Sequence, residues 1–309
     1  MNAQHLLPSP TDVKFYDDHG WWISPKIFLD EQIDEALEGA RRYYAGQRDS
    51  ELPAPIKRYL DWAPGQADRR LAKDDYVVLR SGALRAIGLA PVLGAIAGRL
   101  ARTDEIRLFS SSLIRKPPLV SGDAAKVGWH VDRAYWQTCT SEKMLTAWIP
   151  LHDCDAEMGT ITMIDRSHRW PSSPAVDALR AGTTFISDDV AAVERRLEEL
   201  GLAIEWVPMS LKQGQVSFHG CRTFHGSEVN RSRAPRICLT VHLQDEENAY
   251  RDAQKPNGEP VVHNTDLLVR RLPTGQPDYR DPRVCPAIWR TGMEAARSAY
   301  VSSGDARDC

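Results

Sequence analysis

A series of short β-type runs fills the middle of the chain, and no other feature constrains the fold as strongly. After Arg102, runs rich in branched and aromatic residues alternate with segments that contain Gly, Pro and Asp. The runs cover residues 106–115, 127–131, 145–151, 160–164, 203–208, 216–219 and 236–243. Many short strands of this kind are typical of a sandwich, a barrel or a jelly roll. The sequence therefore predicts a mainly β fold.

Helices are predicted to flank these strands. Residues 30–47 carry apolar side chains every three or four positions, which indicates an amphipathic helix with Asp30 as its N-cap. Residues 82–101 show a second helical pattern, which we expect to be interrupted near Pro91 because a proline inside a helix removes a hydrogen bond. A third pattern, at residues 188–200, is interpreted as a helical insertion between strands.

The remaining segments complete a predicted single domain over residues 1–309. Residues 48–75 are rich in charge and proline and are interpreted as a long loop, either a border of a substrate entrance or a plain surface excursion. With 42% hydrophobic residues, the chain can bury a large core. We divide it into a helical part at 1–104, a jelly-roll core at 105–243 and a wrapped, polar extension at 244–309.

Composition excludes several classes of function. A net charge of −3 and a pI near 6.3 leave no basic stripe, so nucleic acid is not expected as a partner. The six cysteines form no CxxC pair, which favours reduced thiols in a cytoplasmic protein. A charged leader with an apolar core is missing, and no stretch approaches about 20 consecutive apolar residues, so no membrane association is expected.

The stretch Gly128-Trp129-His130-Val131-Asp132 sets an imidazole and a carboxylate two residues apart. Successive side chains of a strand alternate faces, so His130 and Asp132 would point the same way. Completed by a distant histidine, such a pair forms the 2-His-1-carboxylate triad that holds Fe(II) and leaves coordination positions open. A strand end in solvent is the alternative interpretation of so short a motif.

The segment at 214–232 offers two candidates for the distant histidine, His219 and His225. Residues 226–235 are rich in turn formers, so the strands on either side are predicted to fold back on each other as a hairpin-like pair. Such a pair would bring Arg236 close to His225. This geometry favours His225 as the third ligand.

The strand that begins at Arg236 has a polar and an apolar face. The polar face carries Arg236, Cys238, Thr240 and His242, and the apolar face carries Ile237, Leu239, Val241 and Leu243. An arginine at the start of the polar face could hold a carboxylate through two parallel hydrogen bonds, which a lysine could not do in the same planar way. A surface arginine is the alternative.

Three ordered motifs give the chain its resemblance to a known family. They are H-V-D at residues 130–132, a glycine-led run at 159–169 that ends in S-H-R, and H-G-S-E-V-N-R-S at 225–232 followed by Arg236. The chain resembles the phytanoyl-CoA dioxygenase (PhyH) family of Fe(II)- and 2-oxoglutarate-dependent oxygenases over about residues 106–243. It departs from the family at 165–166, where Asp-Arg stands in place of the more frequent Pro-Gly.

The resemblance implies a fold and a set of site residues. The fold would be a double-stranded β-helix of the jelly-roll, cupin-like type, with helices packed outside one sheet. Iron would be bound by His130, Asp132 and His225. The distal carboxylate of 2-oxoglutarate would pair with Arg236, assisted by Ser227, and Trp148 would line the pocket that holds this cosubstrate. Ser112 falls where the family often has a larger residue, so it is a candidate substrate contact only.

The resemblance also implies the activity. The chain would use O2 and 2-oxoglutarate, with ascorbate as a stimulant, to hydroxylate a small organic metabolite and release succinate and CO2. Halogenation is disfavoured because Asp132 is present, whereas desaturation, ring formation and epoxidation stay open. The alternatives are a non-catalytic jelly-roll binding protein and a metal-dependent lyase or isomerase on a cupin-like barrel.

Substrate contacts are assigned only from position in the sequence. Tyr135 and Trp136 follow Asp132 directly and are predicted to face the substrate, with ordinary core aromatics as the alternative. Four charged residues near the motifs could contact an anionic substrate, but we expect their charges to be solvated: Arg115, Lys116, Arg133 and Arg222. A free small molecule is favoured over an acyl-CoA because no Lys/Arg cluster for a nucleotide phosphate stands out. The oligomeric state is not predicted.

Overall fold

The computed structural model describes residues 3–58, 60, 63–64, 70–118, 126–182 and 190–293. The strands in this part of the chain are β1 (Trp21–Ile23), β2 (Ala72–Asp75), β3 (Glu105–Lys116), β4 (Val127–His130), β5 (Leu145–Pro150), β6 (Thr162–Ile164), β7 (Trp206–Pro208), β8 (Ser217–Gly220), β9 (His225–Ser227), β10 (Arg236–Asp245) and β11 (Ala287–Arg290). They form two antiparallel sheets. The large sheet has the order β1-β8-β5-β10-β3-β11, with β2 also paired to β3, and the small sheet has the order β4-β9-β6-β7. The predicted mainly β, jelly-roll architecture is confirmed.

The helices lie mostly in the first third of the chain. They are α1 (Pro10–His19), α2 (Asp30–Tyr44), α3 (Val77–Arg80), α4 (Gly82–Gly88), α5 (Pro91–Ala101), α6 (Pro174–Gly182), α7 (Val190–Glu199) and α8 (Asn264–Leu268). The interruption at Pro91 is confirmed, since this proline opens α5 at a position where its missing N–H costs nothing. The predicted N-cap of α2 is wrong. Leu29 holds that position, and Asp30 is the first helical residue, where its charge favours the helix dipole.

Strand β10 separates a hydrophobic core from the site. Its apolar residues, Ile237, Leu239 and Val241, are buried in the large core cluster that includes Leu93 and Ile96 of α5. Because side chains alternate along a strand, the polar residues of β10 point the other way, into the space between the sheets. The predicted division of β10 into two faces is confirmed.

Helical segments also cover the small sheet. Trp129 on β4, Phe224 before β9 and Ile164 on β6 form a second core cluster with Trp170 and with Leu197 of α7. The predicted helical insertion is therefore the part of the chain that closes the outer face of this sheet, with residues 183–189 outside the described part. Helices accordingly pack on both sheets, rather than outside one of them.

The predicted hairpin between the strands on either side of residues 226–235 is wrong. β9 pairs with β4 and β6 in the small sheet, whereas β10 pairs with β3 and β5 in the large sheet. The turn between them carries the chain from one sheet to the other. His225 and Arg236 consequently face the same interior space from opposite sheets instead of lying side by side.

Two segments without sequence periodicity supply strands to the large sheet. The end of the predicted loop at 48–75 forms β2, which pairs with β3, and the predicted wrapped tail supplies β11, which also pairs with β3. The tail supplies α8 as well. Both segments therefore extend the sheet next to the interior space.

The stretch Gly82–Ala101 is long and apolar enough to cross a membrane by length and composition alone. Within the described residues it is the one helical stretch that meets this criterion, and 67% of it is buried inside the protein. The core helix of a globular domain is buried in the same way, so length and composition do not distinguish the two cases.

Candidate active site

His130 and His225 lie opposite each other on paired strands of the small sheet. The two residues are direct partners in the antiparallel register of β4 and β9, and their ring centroids are 4.2 Å apart. Gly226 permits this close pairing, because a Cβ there would lie 2.9 Å from the Trp129 ring and 2.9 Å from the Val127 carbonyl oxygen. Local sequence and strand register together bring two imidazoles from remote segments to one point.

Each imidazole is oriented by the backbone carbonyl of the residue two positions earlier in the chain. Nδ1 of His130 lies 2.7 Å from the Gly128 oxygen, and Nδ1 of His225 lies 2.9 Å from the Thr223 oxygen. A carbonyl oxygen only accepts hydrogen bonds, so the neutral rings carry their proton on Nδ1. Nε2 then carries the lone pair that a metal ligand needs.

Asp132 follows β4 in a short 3-10 turn, so it does not lie on a strand as the motif alone suggests. Its Oδ1 is 4.0 Å from Nε2 of His130 and 3.7 Å from Nε2 of His225. Its Oδ2 accepts a hydrogen bond of 2.5 Å from the hydroxyl of Thr146 on β5. The carboxylate is thus held between the two sheets.

His219, the second histidine that competed for the third ligand position, lies on the other side of Asp132. Its Nε2 is 3.3 Å from Asp132 Oδ2, and the ring is fully buried. Neither ring nitrogen has a well-aligned hydrogen-bond partner among the described residues. In position it is a neighbour of the carboxylate rather than a member of the triad.

The protonation states suit metal binding. Burial lowers the pKa of His130, and burial together with His130 and His219 holds the pKa of His225 well below its usual range. Burial would raise the pKa of Asp132, but the imidazoles around it, His225 first, hold that pKa well below its usual value. The site therefore offers two neutral imidazoles and an ionised carboxylate.

The three side chains form a candidate metal centre. Ligand atoms of His130, Asp132 and His225 all lie within 4.8 Å of one another, and all three residues are buried. Two imidazoles and a carboxylate are the donor set of non-haem Fe(II) sites, in which the remaining coordination positions stay open for other ligands. The residues present therefore fit the iron that the sequence motif implies.

A cavity of about 310 Å³ opens beside this centre, and Arg236 lies in its wall. The guanidinium is almost fully buried, and its Nη1 donates a hydrogen bond of 2.6 Å to the Gly159 carbonyl oxygen. It lies 5.7 Å from the ring centroid of Trp148, which lines the same cavity. Its Nε is buried without a partner among the described residues. A buried, partly unpaired guanidinium of this kind fits an anionic ligand.

Ser227 lies next to Arg236 in the cavity wall, and Lys116 lies behind it. The Lys116 ammonium donates to the Ser227 hydroxyl at 2.6 Å and to the carbonyl oxygens of Ser227 and Glu228. Its side chain is fully buried, and burial together with Arg236 holds its pKa well below its usual value. The expectation that Lys116 is solvated is therefore wrong, because β3 continues one residue further than predicted and turns this side chain inward.

The three candidate substrate contacts also line the cavity. Tyr135 and Trp136 lie beside the centre, with Tyr135 5.8 Å from the His130 ring and Trp136 5.1 Å from the His242 ring. Ser112 lies on β3, and its hydroxyl donates a hydrogen bond of 2.5 Å to Asp75. Their position agrees with the prediction, and their role in binding stays a prediction.

Sequence reasoning missed the polar residues that line the far end of the cavity. They come from β2 and its end, at Lys73, Asp75 and Tyr76, and from the tail, at His263 and Asn264. The charge and proline content of residues 48–75, which predicts a loop at a substrate entrance, is the signal that points to Asp75. No local pattern marks His263, because only the path of the tail brings it to this place.

The chain is similar in sequence to known dioxygenases. The sequence profile described as Phytanoyl-CoA dioxygenase (PhyH) matches residues 16–238. The ectoine dioxygenase of Bordetella bronchiseptica is 24% identical over 260 residues, which cover 78% of this chain and 76% of that protein. The peroxisomal phytanoyl-CoA dioxygenase of Bos taurus is 22% identical over 167 residues, which cover 54% of this chain and 48% of that protein.

Solved structures share the fold. The non-haem α-ketoglutarate-dependent carbocyclase SnoK from nogalamycin biosynthesis has a TM-score of 0.66 at 23% identity, with 93% of this chain and 98% of that chain covered. EctD from S. alaskensis, solved with 2-oxoglutarate and 5-hydroxyectoine, has a TM-score of 0.60 at 18% identity, with 86% and 88% covered. At such identities the likeness is evidence for the fold alone.

Proposed function

Because the chain belongs to the phytanoyl-CoA dioxygenase (PhyH) family, we propose that it is an Fe(II)- and 2-oxoglutarate-dependent dioxygenase that hydroxylates an unactivated C–H bond of a small organic metabolite. One observation carries this proposal. The ligand atoms of a buried His-Asp-His set converge within 4.8 Å at the wall of a cavity that also contains a buried arginine. We infer 2-oxoglutarate as the cosubstrate by analogy with the similar proteins SnoK and EctD, whose names or bound ligands include it.

Each residue of the site has a role in this proposal. His130, Asp132 and His225 would hold Fe(II), which supplies the activation of O2 that side chains cannot perform. Arg236 would pair with the distal carboxylate of 2-oxoglutarate, with the Ser227 hydroxyl as a second donor. The Trp148 ring closes this end of the cavity with an apolar surface.

The protein groups around the centre keep these partners in place. Thr146 donates to one oxygen of Asp132 and so leaves the other oxygen, which lies nearer both imidazoles, for the metal. The Gly128 and Thr223 carbonyl oxygens keep the two imidazole rings in one orientation, as partners of metal-bound histidines do in general. Tyr135 and Trp136 exclude water beside the position where the substrate would react.

The experiment that tests the function measures succinate. Purified protein with Fe(II), O2, ascorbate and candidate metabolites is expected to convert 2-oxoglutarate to succinate. The His225→Ala variant is expected to lose this activity by several orders of magnitude, because a single imidazole and a carboxylate no longer complete the site. His5→Ala, which changes an exposed histidine outside the site, serves as the matched control.

The product and the binding data separate the remaining possibilities. Gain of one oxygen atom in the product is the expected result, whereas loss of two hydrogens would indicate desaturation or ring closure. An unchanged mass with altered stereochemistry would indicate epimerisation, the activity named for the solved relative SnoN. Failure to bind Fe(II) or 2-oxoglutarate contradicts the proposal and favours a binding protein, and turnover without either favours a lyase or isomerase.

A further inference from the structure

The inward face of the large sheet forms a continuous floor to the cavity. Residues directly opposite each other in antiparallel strands point to the same face, and the register places Asp75, Ser112, Thr240 and Trp148 in one row across β2, β3, β10 and β5. Neighbouring strands lie about 4.8 Å apart, so the Cα atoms of Asp75 and Trp148 are separated by roughly 14 Å. Arg236, which would hold 2-oxoglutarate, lies four residues before Thr240 on β10, about 13 Å along the strand, so Asp75 is far from it across this floor.

An ion pair bonded to one hydroxyl occupies this far edge. The Asp75 carboxylate contacts the Lys73 ammonium and accepts a hydrogen bond of 2.5 Å from Ser112. Burial would raise the pKa of Asp75, but Lys73 together with the hydrogen bond from Ser112 holds the pKa below its usual value, so the carboxylate is ionised. All three residues line the cavity.

The charges at this far edge balance each other. Lys73 and Asp75 contact each other there, and both line the cavity. Burial lowers the pKa of His263, which also lines the cavity, to about 3, so this ring is neutral at pH 7. The far edge is therefore polar, and its Lys73–Asp75 ion pair adds no net charge.

This combination of groups selects a class of ligand. A fatty acyl chain over the far edge would remove water from the carboxylate, the ammonium and the hydroxyls without replacing their hydrogen bonds, which costs free energy at each group. A net anion would meet the Asp75 carboxylate there, and the Lys73 ammonium beside it is already paired with that carboxylate. A hydroxyl or amino group could donate to the carboxylate, and an acceptor could take a hydrogen bond from the ammonium.

We propose that Asp75 and Lys73 form the substrate-recognition site, and that the substrate is a small neutral or zwitterionic polar molecule whose hydroxyl or amino group donates to Asp75. This inference rests on the proposed oxygenase function, because it takes the opposite end of the cavity for 2-oxoglutarate. It excludes a fatty acyl group from the cavity. It also assigns specificity to a segment, residues 73–75, that carries none of the family's motifs.

The test uses four probes that share a six-membered ring and differ in charge: cyclohexanol, pipecolic acid, cyclohexanecarboxylate and cyclohexylammonium. Each is titrated by calorimetry, without O2, into the protein loaded with Fe(II) and 2-oxoglutarate. The wild type is expected to bind the neutral and zwitterionic probes on the order of tenfold more tightly than the two singly charged probes, as one charge-assisted hydrogen bond allows.

Two variants are expected to raise the affinity for oppositely charged probes. Asp75→Asn removes the carboxylate that contacts Lys73, so affinity for cyclohexanol and pipecolic acid should fall on the order of tenfold while affinity for cyclohexanecarboxylate rises. Lys73→Met leaves Asp75 uncompensated, so affinity for cyclohexylammonium should rise. Asp153→Asn, which changes an exposed carboxylate paired with Lys212, is the matched control and should change none of these affinities.

The loading step separates this inference from the function on which it depends. If the wild type does not bind Fe(II) and 2-oxoglutarate, the proposed function has failed. If it binds both, the recognition site is overturned by any of three results: tightest binding of the anion, binding of none of the four probes, or an Asp75→Asn variant whose probe affinities all equal those of the wild type. A uniform loss for all four probes would indicate a merely structural role and overturns it too.

Discussion

At the scale of single residues, the site depends on neighbouring groups that fix the direction of its side chains. The two imidazoles are oriented by backbone carbonyl oxygens two positions earlier in the chain, and the Asp132 carboxylate is oriented by the Thr146 hydroxyl from the opposite sheet. Such supporting contacts determine how well a metal or an anion is bound, because they fix both the tautomer and the direction of each ligand. Lys116 has the same relation to the Ser227 hydroxyl.

We predict that Lys116→Met raises the KM for 2-oxoglutarate on the order of tenfold and changes kcat less. Because the ammonium donates to the Ser227 oxygen, it leaves the hydroxyl hydrogen to point into the cavity, and methionine cannot do this. The fold should survive, since an apolar side chain of similar length replaces a buried charge. Steady-state kinetics with varied 2-oxoglutarate measure the effect.

Arg115→Met is the control for this variant, because Arg115 is next to Lys116 on β3 and its side chain lies on the opposite face, away from the cavity. It should leave the KM unchanged. An unchanged KM in Lys116→Met itself would mean that the Ser227 hydroxyl is oriented without the lysine.

At the scale of elements, short segments outside the motifs complete the cavity. Helix α8 is only five residues long, and its first turn presents Asn264 to the cavity. Its N-cap is His263, whose Nδ1 accepts a hydrogen bond of 3.2 Å from the Thr265 backbone N–H. Only a neutral imidazole can accept this bond, so the cap depends on the protonation state of one ring.

We predict that the protein loses stability as the pH falls from 6.5 towards 3, in part through His263. Burial lowers the pKa of this residue to about 3 in the folded state, whereas an unfolded chain has a histidine pKa near 6.5. Below 6.5 the unfolded state therefore binds more protons, so the contribution of His263 is fully present above pH 6.5 and is lost as the pH falls. Tm measured across this pH range tests the effect.

His263→Asn separates the cap from the titration. Asparagine is a good N-cap that does not ionise in this range, so the variant should keep the stability of the wild type near pH 7 and show a flatter decline of Tm below pH 6.5. An identical decline in both proteins would mean that other groups account for the acid sensitivity.

At the scale of the whole molecule, the candidate metal centre joins the two sheets. His130 and His225 belong to the small sheet, and Asp132 is bonded to Thr146 of the large sheet. A bound metal would therefore bridge elements that must separate on unfolding. A ligand that binds only the folded state stabilises it by mass action.

We predict that Mn(II), a stand-in for Fe(II) that resists oxidation, raises the Tm. At a hundred times its Kd, a ligand adds about 2.7 kcal/mol to the free energy of unfolding, and each kcal/mol shifts the Tm of a chain of this size by roughly 1.5 °C. The shift should vanish in His225→Ala and persist in His152→Gln, a change outside the cavity. A shift that persists in His225→Ala would place the metal elsewhere.

Much of the site could be predicted because its signals are local. The alternation of side chains in a strand determined that Arg236 and His242 share one face and that the apolar residues of β10 share the other. The spacing of His130 and Asp132 suggested a common site even though Asp132 lies past the end of β4. These properties follow from the period of two in an extended backbone, which is written into the sequence itself.

Tertiary structure alone decided which strands are neighbours. The turn after β9 looks like a hairpin by its composition, but the chain crosses to the other sheet there, because each strand pairs where its apolar face is buried. The same long-range packing buries Lys116 and brings Asp75 and His263 from two aperiodic segments to one cavity. The sequence determined which residues share a face of a strand, because side chains alternate along an extended backbone. Contacts between residues far apart in the chain determined which of these faces enclose the cavity.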